Sequence, residues 1–90
     1  MVGATPAAFA DPAPGCSAGD LEQIRSEVSA ATSVYLFSHP DVNAYFTSLR
    51  GQTRDQVHKQ VKEYLAANPQ TQSELTAIRQ PLHDMKARCQ

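Results

Sequence analysis

The sequence predicts an all-α protein, a compact bundle of four to five helices closed by one disulfide. Three observations predict it. Apolar residues recur at steps of three and four along most of the chain, and no stretch alternates as a strand would. Residues that cap or open helices stand just ahead of each periodic run. Cys16 and Cys89 bracket the whole periodic region.

The first helix starts at Ser17 or Asp20, because Ser17-Ala18-Gly19-Asp20 and Asp20-Leu21-Glu22-Gln23 both fit a capping box. Its apolar stripe runs Leu21, Ile24, Val28, Ala31, Tyr35, and it ends near His39, which Pro40 pushes away from helical backbone. A second helix opens at Pro40 or Asp41, carries Val42, Tyr45, Phe46 and Leu49, and stops at Gly51, a residue able to take positive φ. Thr53-Arg54-Asp55-Gln56 is a further capping box; the helix behind it buries Val57, Val61, Tyr64 and Leu65 and ends near Asn68-Pro69. Pro69 suits the first position of a fourth helix with Leu75 and Ile78 inside. Pro81 either kinks that helix or begins a short fifth one with Leu82, Met85 and Cys89. Connections of two to four residues make consecutive helices neighbours. No internal repeat is read.

A chain of 90 residues makes one small domain. Such a chain buries only about 60% of its unfolded surface, so a covalent staple matters. A Cys16–Cys89 bond would enclose nearly the whole folded region, worth about 4 kcal/mol on the chain-entropy account. The competing reading is a pair of free buried thiols in a reducing compartment. Residues 1–15 favour the bond. Ala8-Phe9-Ala10 has the small-x-small pattern of a signal-peptidase site, and Val2 to Pro6 resembles the tail of a signal peptide. A plain Ala/Pro-rich leader also fits Pro12-Ala13-Pro14-Gly15. The division is thus a signal-peptide remnant or disordered leader at 1–15 and a helical domain at 16–90, secreted or held in the extracytoplasmic envelope.

A net charge of −1 argues against a general nucleic-acid binder, which would carry a basic stripe. No apolar run approaches the roughly 20 residues that span a bilayer. An enzyme is not expected: there is no Cys/His or Ser/His/Asp context, no H-E-x-x-H, no zinc-finger spacing and no glycine-rich phosphate loop.

Tyr35 and His39 stand four apart near a helix end and so share a face. A phenolate and an imidazole side by side are both axial ligands that ferric haem accepts. Equally, Tyr35 fits the core stripe and His39 fits a helix terminus. Phe37, Tyr45 and Phe46 flank this corner and could offer apolar surface to a porphyrin, or serve as core. Arg50, Arg54, Lys59 and Lys62 are near enough in sequence to pair with propionates, though such a face is also simply solubilising. His58 and His83 read as surface residues.

Tyr35-Leu36-Phe37-Ser38-His39-Pro40-Asp41 resembles the mycobacterial haemophore-type haem-binding domain, a family of small exported helical proteins. The resemblance continues through Tyr64-Leu65-Ala66-Ala67-Asn68-Pro69, Gln80-Pro81-Leu82-His83-Asp84 and Arg88-Cys89, covering residues 16–89. It implies ferric haem b held by the tyrosine and histidine of a Tyr-x-x-x-His-Pro motif, which fall on Tyr35 and His39, and by a second histidine before Asn-Pro. That third position is Tyr64 here, a departure from the pattern. The cofactor-binding residues expected are therefore Tyr35, His39, Tyr64, Phe37 and Phe46, with iron on Tyr35 and His39 and possible at Tyr64. The resemblance implies a carrier that delivers to a membrane haem importer. A carrier must release its haem, so the expected affinity is modest. A domain this small has little depth to enclose a porphyrin, so homo-oligomerisation to cover it is expected. The competing expectation is a secreted helical interaction or envelope protein of the same fold that binds no haem, favoured by the change at Tyr64.

Overall fold

A computed structural model describes residues 11–90 and contains four helices: α1 (Ala18–Ser38), α2 (Pro40–Thr47), α3 (Arg54–Ala67) and α4 (Pro69–Arg88). No strand occurs among the described residues. The signal-peptidase pattern read at Ala8 to Ala10 lies outside them.

Of the two capping boxes that overlap at the start of α1, the chain uses the one on Ser17. Its hydroxyl accepts from the Asp20 N–H at 3.1 Å, and Asp20 Oδ2 takes the Ser17 N–H at 3.0 Å in return. Thr53 and Gln56 repeat the arrangement at α3. Gly51 takes φ +83° and turns the chain between α2 and α3.

α4 packs along α1, with α2 against α1 and α3 against α4. Cys16 and Cys89 are bonded, their Cα atoms 5.6 Å apart, which ties the start of α1 to the end of α4. The core is thin: the buried apolar side chains are Tyr35, Val42, Leu49 and Met85. The inward stripe of α1 shifts by one residue from the predicted one, for Ala31 is exposed and Thr32 turns inward. The Thr32 hydroxyl satisfies itself on the Val28 carbonyl at 2.7 Å, so its polar atom costs little there.

Pro81 does not divide the last helix. α4 runs unbroken for 20 residues, so the bundle has four helices and the fifth does not form. A proline costs the helix one N–H donor and a steric clash. The flanking side chains Gln80 and Asp84 bridge the position on the exposed side with a 2.8 Å hydrogen bond.

The two helix corners are near copies. His39 (φ −128°, ψ 77°) links α1 to α2, and Asn68 (φ −130°, ψ 71°) links α3 to α4. Each precedes a proline, and each side chain bonds the carbonyl four residues back at 2.8 Å: His39 to Tyr35, Asn68 to Tyr64. That carbonyl is one of the orphan acceptors at a helix end. The likeness is visible in the sequence as Tyr35-Leu36-x-x-His39-Pro40 and Tyr64-Leu65-x-x-Asn68-Pro69, a short internal repeat that the expectation of none overlooked.

Candidate functional site

The last turn of α1 sets the site. Residues four apart stand one above the other on a helix, so Tyr35 and His39 present parallel rings, with centroids 4.0 Å apart and planes inclined by 18°. His39 Nδ1 lies 2.8 Å from the Tyr35 backbone oxygen. A carbonyl only accepts, so Nδ1 carries a proton, and in the neutral imidazole Nε2 is then the nitrogen with the lone pair. The half-buried imidazole is thus fixed in orientation and tautomer, the arrangement that usually supports a metal-binding histidine.

Across the seam, α4 contributes Glu74. The Tyr35 hydroxyl donates to Glu74 Oε1 at 2.8 Å, and His39 Nε2 lies 3.9 Å from the same oxygen. The other carboxylate oxygen is 3.5 Å from Gln70 Nε2. Burial, above all, raises the Tyr35 phenol above its ordinary pKa; the Glu74 hydrogen bond and the negative charges of Glu74 and Asp41 act the same way, while Thr71 opposes them. Unliganded, the site therefore holds Tyr35 as a neutral phenol.

The sequence reading did not single out Glu74. Its signal was available: the α4 face turned to α1 runs Thr71, Glu74, Ile78, Leu82, Met85, and a carboxylate in that otherwise uncharged seam needs a partner.

Beside the corner is an open, mainly polar cavity of about 450 Å³, bordered by His39, Asp41, Val42, Asn68, Thr71 and Glu74. The paired corners face it from both sides, which explains why the Asn68-Pro69 segment belongs to the same neighbourhood as His39.

The remaining predicted residues are distributed differently. Tyr64 stacks face to face on Tyr45, centroids 3.8 Å apart and planes at 6°, with Phe46 edge-on to both. These three rings join α2 to α3. Phe46 also borders a separate apolar cleft, which neither Tyr35 nor His39 lines. Phe37 is 78% exposed on the outer side of α1, because two residues along a helix is a rotation of about 200°. The structure thus brings Tyr35 and His39 together, brings Phe46 and Tyr64 together, and leaves Phe37 apart from both pairs. His58 and His83 are exposed, as read from the sequence.

The profile of the haemophore haem-binding family matches residues 14–90. Over 75 residues the chain is 34% identical to the heme-binding protein Rv0203 of Mycobacterium tuberculosis, covering 82% of this chain and 55% of that relative, so the chain spans about half of the relative's length. No solved structure matches the chain.

Proposed function

The chain belongs to the haemophore haem-binding family, and from that membership we propose that it is an extracytoplasmic carrier that takes ferric haem b at the Tyr35–His39 corner and hands it on. The observation that carries this reading is the fixed imidazole: with Nδ1–H spent on the Tyr35 carbonyl, Nε2, which faces Glu74, is the donor of a preset ligand. Haem is cargo here, and the chain's task is to bind and release it.

The donor set fits a ferric porphyrin. Imidazole nitrogen and phenolate oxygen are both haem ligands, and the phenolate, being anionic, favours Fe(III). To bind through oxygen, Tyr35 must give up its proton and its contact with Glu74. The polar cavity beside His39 offers little apolar wall, so the macrocycle remains largely open to its surroundings. An open site and a donor that must first be released both weaken binding, which suits a carrier.

In this reading the Ala8-Phe9-Ala10 pattern belongs to an export signal, and the disulfide agrees with an oxidising compartment. Delivery to a membrane haem importer completes the proposed route. Among the described residues no helix is long and apolar enough to cross a membrane.

One observation favours a second reading. Tyr64, at the position where the family places its other histidine, has its ring flat against Tyr45. A corner reduced to two donors is consistent with an interaction or envelope protein of this fold that has given up haem. Titration of the disulfide-bonded protein with haemin, followed at the Soret band, decides between them. A saturable shift at one haem per chain is expected; a spectrum identical to that of free haemin overturns the carrier.

A further inference from the structure

We propose that the cleft on the α3–α4 side of the molecule is a second binding site, for a fatty-acid carboxylate. Its floor is hydrocarbon: Leu36 of α1, Phe46 of α2, Val61 and Leu65 of α3 and Leu75 of α4. The cavity they surround is about 300 Å³, at the low end of small-molecule sites. That volume accommodates a hydrocarbon tail.

The rim is cationic. Arg79 and His83, four residues apart on α4, border the deep part. A shallower extension shares Val61, Leu65 and Arg79 with it and adds Arg54, His58 and Lys62. No aspartate or glutamate borders either part, although the chain as a whole is slightly acidic. Among the described residues, Arg54, Lys62 and Arg79 form no salt bridge. An apolar trough with basic residues on both banks complements an apolar tail carrying one anionic head. The arginine fork matches a carboxylate in shape as well as charge. Neither Tyr35, His39 nor Glu74 borders the cleft, so this site does not depend on haem ligation.

The disulfide-bonded full chain is titrated with dansyl-undecanoate and the fluorescence rise recorded, then the probe is displaced with laurate or methyl laurate. Laurate should displace it and the methyl ester, which has the same tail without the charge, should not. Arg79→Glu should weaken probe binding about tenfold or more, and Arg79→Lys should keep most of it, as expected for loss and retention of a charge-assisted contact. His39→Ala should leave it unchanged. Equal displacement by acid and ester, or full affinity in an Arg79→Glu protein of unchanged helicity, would overturn the proposal. So would one-for-one displacement of the probe by haemin, which would make the cleft the bed of the cargo, or loss of probe binding as the chain self-associates, which would make it a contact between copies.

Discussion

Tyr35 Oη and His39 Nε2 converge on one oxygen atom, Oε1 of Glu74, at 2.8 and 3.9 Å. If Tyr35 and His39 bind iron as proposed, the carboxylate stands in the iron's place. Glu74→Ala should free both donors. Haemin association should be several-fold faster in this variant than in the parent, measured by stopped-flow absorbance. A slower or unchanged rate would show that Glu74 orients the donors and does not obstruct them.

Tyr35→Phe keeps the ring and its packing and removes only the oxygen. Stability should change by about 1 kcal/mol or less, the net worth of one hydrogen bond. Haem affinity should fall and any phenolate-to-iron charge-transfer absorption should vanish. His39→Ala should weaken haem comparably if Nε2 binds iron, and less if it only assists the phenolate. Haem spectra and affinity unchanged in both variants would place the ligands elsewhere.

Alkaline titration reads the same corner without haem. The phenol of Tyr35 has a raised pKa, first through burial and then through Glu74, so the native state holds that proton longer than the unfolded chain does. Its contribution to stability is complete below the ordinary phenol value and is lost as pH rises through the raised one. Near-ultraviolet phenolate absorbance should show a late ionisation step, and that step should be missing in Tyr35→Phe.

The start of α1 responds to acid with the opposite sign. Hydrogen bonds from the Ser17 hydroxyl and then its backbone N–H lower the Asp20 pKa. The native state thus binds this proton less readily, and the capping box is intact above the ordinary carboxylate value and lost as pH falls through the lowered one. The urea midpoint of Asp20→Asn should vary less with pH in the acid range than that of the parent. At α3, Thr53→Ala removes the equivalent cap and should cost about 1 kcal/mol.

Reduction of the Cys16–Cys89 bond should lower the melting temperature by on the order of 10–30 °C, if the loop entropy contributes even half of its expected share. Intact mass should rise by two hydrogens at the same time. A melting temperature indifferent to reductant would mean that the helices hold without the bridge.

Most of the fold was legible because its signals are local. Ser17, Thr53 and the two proline corners fix helix ends within a few residues of chain, and the structure uses all of them; α2 instead stops at Thr47, ahead of Gly51, whose positive φ turns the chain a few residues later. The fate of Pro81 was not local. Whether a helix survives a proline depends on what its flanking turns pack against, and here α4 lies along α1 throughout. The site was half legible for the same reason. Tyr35 and His39 meet within one helix turn, whereas Glu74 reaches them across 39 residues of sequence. Phe37 was grouped with them by proximity in the sequence, and the rotation of a helix separates it.

The bridge between Cys16 and Cys89 also determines how the molecule bears load. Tension applied through the segments flanking the two cysteines passes through sulfur and bypasses all four helices, which feel no force. An optical trap pulling at the two cysteines would see a stiff link of almost no length. Reduction under the same tension would expose the 73-residue separation at once, a gain on the order of 240–260 Å of contour less the short native span. Under such a pull the Tyr35–His39 corner thus keeps its shape for as long as that one bond stays oxidised.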